Sequence, residues 1–443
     1  MTDRRKFLSG VAAAAGALPF SSNLLAQDLA GPAGFGAPAR TFPFAPDVYR
    51  ERRAALMEKM GGGIGVVYSA ASLPAGVLDP FASQADDFEY LTGIHDEYGA
   101  ALLLAPSETG IREYLFLRPR DGESERWEGV RLSTGAELER RTGFAKIYRS
   151  GSLAGVTSAL AGRAGSMHFL GPVVSPNAPV PDALELYGKI AQRNPGVRTV
   201  NSANLIRDMR VSKEPREIAL IRKAIAATEA GLLAAMRQVR AGMTERELKA
   251  VIENGFRANG GDGLGFNSIT ATGRASAVLH YSGNDGVIGD GDLVLCDVGA
   301  HVGGYSADIT RTFPASGRFT AEQRQVYDTV LAAQDAAARK LRSGTAYGAA
   351  QSAADAVIGA AGYGDAFWHP LGHFVGLDVH DVGDMRAPLP DNAVVTIEPG
   401  IYLPERGFGI RIEDDYLVSR SGAQRMSAGT PNRADEIEAL MAR

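Results

Sequence analysis

The chain has 443 residues, 45% of them hydrophobic and 22% charged, with a net charge of −5. That length exceeds what one domain usually holds and points to two, while the mild acidity, with no basic stripe, argues against nucleic acid as a partner. A single cysteine, Cys296, excludes an internal disulfide framework and a multi-thiolate zinc site, so any metal must be held by oxygen and imidazole.

Residues 1–26 have the look of a bacterial twin-arginine export signal: Arg4-Arg5-Lys6-Phe7-Leu8, a weakly apolar run from Val11 to Leu18, and a cleavage point at Ala26. The run is interrupted by Gly16 and Pro19, too short for a stable membrane anchor, and no cysteine follows it for lipid attachment. The expected destination is the periplasm. A Gly-, Pro- and Ala-rich linker over 27–46 leads to a helix from Asp47 to about Met60, closed by three glycines. Strand patterns at 64–68, 100–105 and 113–117 alternate with helical ones at 137–141 and 183–192, so an α/β domain is expected over 47–207.

A second domain, 208–443, opens on Ser212-Lys213-Glu214-Pro215 and a helix to about Val239, with Pro215 in the first turn and Ile218, Ile221, Ile225, Leu232 and Met236 at helical spacing. Capping boxes at Thr244–Glu247 and Thr320–Gln323 start two more helices. Strand patterns at 293–298, 305–310, 394–398 and 408–418 complete an α+β domain.

Those strands carry carboxylates where a core would exclude them. Asp297 is the one carboxylate in the otherwise apolar run 293–298, and Asp308 follows a turn-rich segment; a hairpin centred near Val302–Gly303 would set the two opposite each other. Glu398 and Glu413 repeat the arrangement about a turn near Glu405–Arg406. Four inward carboxylates repel unless they share cations, roughly two divalent ions. Five of the seven histidines, His280, His301, His369, His373 and His380, fall between 280 and 380 and supply imidazole. One histidine with four carboxylates is a hard, oxygen-rich set that favours Mn²⁺, with Co²⁺ or Zn²⁺ as alternatives. Paired ions of this kind activate water for attack on a carbonyl. Cys296 reads as a small buried hydrophobe, and His95, His168 and His301 as structural or surface residues.

The segments His280-Tyr-Ser-Gly-Asn-Asp, Gly291-Asp-Leu-Val-Leu-Cys-Asp297, Gly304-Tyr-Ser-Ala-Asp308-Ile-Thr, His373-Phe-Val-Gly-Leu-Asp-Val-His380-Asp, Thr396-Ile-Glu398-Pro and Gly409-Ile-Arg411-Ile-Glu413-Asp-Asp resemble the pita-bread metallopeptidases. The closest likeness is to the bacterial Xaa-Pro aminopeptidases (aminopeptidase P). A fainter likeness covers Asp86-Asp-Phe-Glu-Tyr-Leu-Thr-Gly93. The resemblance implies a creatinase-like N-terminal domain before a pita-bread catalytic domain. It implies two metal ions on Asp297, Asp308, His373, Glu398 and Glu413, with Glu398 handling protons of a metal-bridging hydroxide that attacks the Xaa-Pro bond. It implies that His280 and His380 bind the scissile carbonyl, that His369 lines the proline side, and that Arg411 orients neighbouring carboxylates. Substrates would be peptides with proline second, and the assembly a homo-dimer or tetramer. One position departs from the pattern: Pro370 stands where the family often has glycine. A prolidase acting on Xaa-Pro dipeptides, or a hydrolase of non-peptide substrates, would fit the same site. A non-catalytic relative would have lost ligands that are all present here.

Overall fold

The computed structural model describes residues 42–69, 86–95, 97–108, 110–171, 176–177 and 179–442. The expected export signal and most of the linker lie outside them. Residues 119–133 belong to a unit of their own, with a short helix Ser124–Glu128 held by an Arg120–Glu125 ion pair (Nη2–Oε2 2.7 Å). The rest of the described chain is a second unit.

That unit begins with helix α1 (Pro46–Met60), which has proline in its first turn and ends on Gly61. A six-stranded mixed sheet follows: β1 (Ile64–Tyr68), β2 (Ala101–Ser107), β3 (Gly110–Leu117), β4 (Ile147–Arg149), β5 (Ser166–Phe169) and β6 (Arg198–Asn201), in the order β4-β3-β2-β1-β5-β6. Neighbours β1, β2 and β3 are antiparallel, and the outer pairings are parallel. Helix α2 (Asp86–Thr92) precedes β2; α3 (Ala136–Thr142), α4 (Leu153–Ala164) and α5 (Asp182–Ala191) make the crossovers, as parallel pairing requires. Ile64, Val66, Leu103, Phe116, Met167 and Tyr187 form the core of this layer. The α/β expectation is met, and every predicted element falls within a few residues of an observed one.

Helix α6 (Leu205–Val211) leads to α7 (Pro215–Gln238), whose start is a capping box between Glu214 and Glu217. Helices α8 (Glu245–Ala258) and α9 (Ala321–Ala338) open on the two expected capping boxes; α10 (Gly348–Ala360) follows. These helices cover short antiparallel strands: β7 (Gly263–Leu264), β8 (Ile269–Thr272), β9 (Leu293–Val298), β10 (Ala300–Val302), β11 (Tyr305–Ser306), β12 (Ile309–Pro314), β13 (Val394–Ile397), β14 (Gly400–Leu403), β15 (Phe408–Arg411), β16 (Asp414–Ser419) and β17 (Gly422–Arg425). Helix α11 (Ala434–Met441) closes the chain against the same core.

The first carboxylate hairpin departs from expectation in register. Asp297 pairs with Thr310, not Asp308, and Val302 pairs with Tyr305. The turn is therefore Gly303-Gly304, with φ of +57° and +91°. A type I′ hairpin turn, whose twist matches that of the strands, needs positive φ at both central positions, which Gly-Gly adopts freely and Val302 does not. The two-residue slip preserves side-chain parity, so Asp297 and Asp308 still share a face, diagonally rather than directly opposed. The second hairpin has the expected register: Ile397 pairs with Asp414 and Gly400 with Arg411, which leaves Glu398 facing Glu413 across the gap between them.

The expected strand 408–418 is two strands broken at Ile412–Glu413, the strand at 305–310 is broken at Ala307–Asp308, and β13 stops at Ile397. Three of the four carboxylates thus sit at breaks in a ladder. The sequence pattern shows only that these stretches are extended; at two of the breaks distant groups satisfy the freed backbone carbonyls. The Gln334 amide of α9 donates to the carbonyls of Ile397 (3.1 Å) and Ile412 (3.3 Å), the residues directly before Glu398 and Glu413. Arg311, wholly buried, pairs with Asp414 at 2.6 Å and donates to the Glu413 carbonyl.

Candidate metal centre and its cleft

All nine expected site residues line one cavity of about 580 Å³. Asp297 comes from β9, Asp308 from the break before β12, and Glu398 and Glu413 from the paired breaks of the second hairpin. His373 enters from a loop stapled by Phe374, which bridges to both Asp381 and Val395.

His373 Nδ1 donates to the Phe374 carbonyl at 3.0 Å. A carbonyl only accepts, so the proton sits on Nδ1 and the Nε2 lone pair faces inward. Burial, and then neighbouring His380, pushes this imidazole down to about 4, so it is neutral. Its Nε2 lies 3.5 Å from Asp308 Oδ2 and 3.6 Å from Glu398 Oε1. Asp308, His373 and Glu413 offer atoms all within 4.8 Å of one another.

An acceptor therefore faces acceptors. Asp297 Oδ1, Asp308 Oδ1 and Glu413 Oε1 are buried without a hydrogen-bond partner, whereas their sister oxygens are tied down where a partner exists. Asp297 Oδ2 accepts from Arg411 Nη2 at 2.6 Å, and Glu413 Oε2 accepts from Thr310 Oγ1 at 2.7 Å. Orphaned oxygens of Asp308 and Glu413 beside a neutral imidazole lone pair, with a third on Asp297 in the same cavity, are costly without cations and fit divalent ions.

The electrostatics agree. Burial, then Glu413 and Asp297, holds the Asp308 carboxyl well above its ordinary range. Burial, then Glu398 and Asp297, does the same to Glu413. Glu398 is pushed up to about 8 by burial, with Arg411 opposing and Asp297 adding to the rise. The ion-free native state therefore binds protons that the unfolded chain releases from about 4.5 upward. The expected outcome is an ion-free protein whose stability declines as pH rises from about 4.5 to about 8, and a metal-loaded one in which the decline is abolished. Thermal unfolding at pH 5 and pH 8, with chelator and with Mn²⁺, checks this; a flat chelated profile would contradict it.

Around the centre, Arg411 Nη1 donates to Tyr402 Oη (2.9 Å), which donates in turn to His369 Nε2 (2.7 Å); His369 Nδ1 donates to the Pro370 carbonyl (2.8 Å). Burial, then Arg411, pushes His369 down to about 4. With both ring nitrogens engaged, His369 presents a neutral ring face to the cavity beside Pro370, so the departure from glycine leaves it on the cavity wall. His280 and His380 are exposed at the rim, and the His380 ring stands edge-on to His373 with centroids 4.2 Å apart.

The sequence reading assigned no role to several contributors. Thr310 and Tyr402 hold Glu413 and Arg411. Asp415 accepts from the Asp308 backbone N–H at 3.1 Å. Buried Glu245 accepts from Tyr281 Oη (3.0 Å), Thr272 N and Gly286 N, bracketing the loop that carries His280. Asp415, two residues after Glu413 in an Asp-Asp pair, was conspicuous in the sequence, and Tyr281 and Tyr402 flank the histidine and carboxylate segments there. The other histidines are structural: His168 bonds Ser202, His95 pairs with Glu89 and His301 with Asp262. Cys296 is wholly buried, and that burial, then Asp297, drives its thiol far above the reactive range.

Comparison with known proteins gives a consistent result. Residues 219–420 match the model of metallopeptidase family M24, and residues 49–168 match the aminopeptidase P N-terminal domain. The Xaa-Pro aminopeptidase of Escherichia coli K12 is 32% identical over 432 residues, 89% of this chain and 97% of the relative. The Xaa-Pro dipeptidase of Pyrococcus furiosus is 38% identical over 228 residues, 51% of this chain and 65% of the relative. The structure of Pseudomonas aeruginosa aminopeptidase PepP superposes with a TM-score of 0.81 at 32% identity, covering 90% of this chain and 98% of that one.

Proposed function

The chain belongs to metallopeptidase family M24, and on that premise we propose that it is a metal-dependent aminopeptidase that removes the N-terminal residue from peptides with proline in second position. The observation that carries the chemistry is the neutral His373 lone pair set among orphaned carboxylate oxygens at the base of the cleft. Asp297, Asp308, His373, Glu398 and Glu413 would hold two divalent ions, which supply Lewis acidity and lower the pKa of water at neutral pH. The oxygen-rich set favours Mn²⁺.

Glu398, whose Oε1 lies 3.6 Å from His373 Nε2, would take the proton of the attacking water and return it to the departing proline nitrogen. His380 and His280, at the rim, donate to the scissile carbonyl as it gains negative charge. The neutral faces of His369 and Pro370 receive the proline ring, and Arg411 orients Asp297 through its Nη2–Oδ2 hydrogen bond.

Aminopeptidase rather than dipeptidase action is supported by the likeness to the Escherichia coli aminopeptidase, which runs through both halves of the chain. The test offers Ala-Pro-Phe and Ala-Pro to the Mn²⁺-reloaded protein and follows products by mass spectrometry. Release of alanine from the tripeptide, with little dipeptide cleavage, is expected. Dipeptide cleavage alone would instead mark a prolidase, and neither a hydrolase of non-peptide substrates. We further propose export through the twin-arginine motif and a homo-oligomeric assembly. A cytoplasmic location of the full chain, or a monomeric mass in light scattering, would overturn the respective proposal.

A further inference from the structure

Asp381 directly follows His380 yet is buried, with only 1% of its side chain exposed. Its Oδ2 accepts from Lys213 Nζ at 2.9 Å and its Oδ1 from Arg210 Nη2 at 2.5 Å. Lys213 Nζ also donates to the Arg210 carbonyl at 2.7 Å. Arg210, 4% exposed, reaches onward to Asp87 Oδ1 (2.7 Å) and Asp86 Oδ2 (3.0 Å) on α2. Two cations and three carboxylates thus tie together helix α2 of the N-terminal half, the connector at 210–213, and the histidine loop.

The loop's backbone makes this consequential. The Asp381 N–H donates to the Phe374 carbonyl at 2.9 Å, and Phe374 bridges to Val395 of β13. The Phe374–Asp381 bridge is antiparallel, so His373 and His380 stand diagonally across it on one face, where their rings meet edge-on with centroids 4.2 Å apart. Gly376 packs beneath the Asp381 carboxylate, where a Cβ would collide with it. The place of His380 therefore follows from the place of Asp381, and that of Asp381 from its two cations.

We propose that Asp381, clamped by Lys213 and Arg210, is the positioning residue for His380, and that through Arg210 the Asp86–Asp87 pair of the N-terminal half sets the geometry of catalysis from outside the cleft. The kinetic part rests on His380 acting at the scissile carbonyl. A buried ion cluster can also serve stability alone, so the test must separate the two roles.

In the metal-loaded full chain, Lys213→Met is expected to keep its bound metal and to lower kcat and kcat/KM for Ala-Pro-Phe together, by about tenfold to a hundredfold. In a His380→Ala background the same substitution should cost nothing further. A Lys213→Met enzyme with wild-type kcat, or losses that multiply with those of His380→Ala, would overturn the proposal. If Lys213→Met does not fold, Asp87→Asn, at the cluster's edge, should show a smaller loss of kcat with the same non-additivity. A His380→Ala enzyme with wild-type turnover would defeat the role given to His380. The positioning claim is then decided by the crystal structure of metal-loaded Lys213→Met, or of Asp87→Asn: loss of the edge-on His373–His380 contact supports it and retention overturns it.

Discussion

Glu413→Gln is expected to abolish peptide turnover and, at the same time, to raise the thermal stability of the ion-free protein. Glu413 is 1% exposed, one oxygen accepts from Thr310, and the other has no partner. Without cations its charge is a liability: burial, then Glu398 and Asp297, oppose its ionisation. Glutamine keeps the shape and can still accept from Thr310, but removes one charge from a cluster of like charges. A carboxylate present for structure would behave oppositely, its loss costing roughly 1–3 kcal/mol. With metal the order reverses. The wild-type protein should gain several degrees on loading, and the variant should gain less and bind fewer than two ions per chain. Elemental analysis of dialysed protein and paired calorimetric scans with and without chelator are the measurements. Full metal content in the variant would remove Glu413 from the proposed ligand set.

His380→Ala is expected to lower kcat by about 10²–10³-fold, the usual cost of deleting one donor to a developing oxyanion, with bound metal unchanged. The His380 ring is exposed at the cleft rim and meets His373 edge-on rather than facing the carboxylates. It is thus placed to reach substrate and not to complete the donor set. An interaction made only in the transition state lowers kcat and kcat/KM equally, whereas one made equally with bound substrate raises KM. Metal lost together with activity would instead make His380 a ligand and redraw the centre.

The sequence carried much of this without the structure. Inward carboxylates on apolar strands, a lone cysteine and a histidine cluster are compositional facts, and they suffice to argue for a metal centre of oxygen and imidazole. The second hairpin was legible in register because its turn falls on the residues that carry it, with Pro404 before and Gly407 after. The first was not. The choice between Val302-Gly303 and Gly303-Gly304 depends on backbone angles that the alternation of side chains does not encode, since a slip of two leaves the pattern intact.

What the sequence determined by itself was therefore parity and chemistry: which residues are extended, which face they share, which donors they bring, and that two domains follow one another. What only the tertiary structure decided was placement. Gln334, from a helix some sixty residues before Glu398, satisfies the carbonyls at the breaks on which two glutamates sit. Arg411 and Tyr402 claim the nitrogens and oxygens that would otherwise face the cleft, and Arg210 reaches from the connector to the loop of His380. Local propensity acts over a few residues along the chain, whereas a buried polar group must find its partner wherever packing puts one. The shape of the centre is set by those long-range pairings.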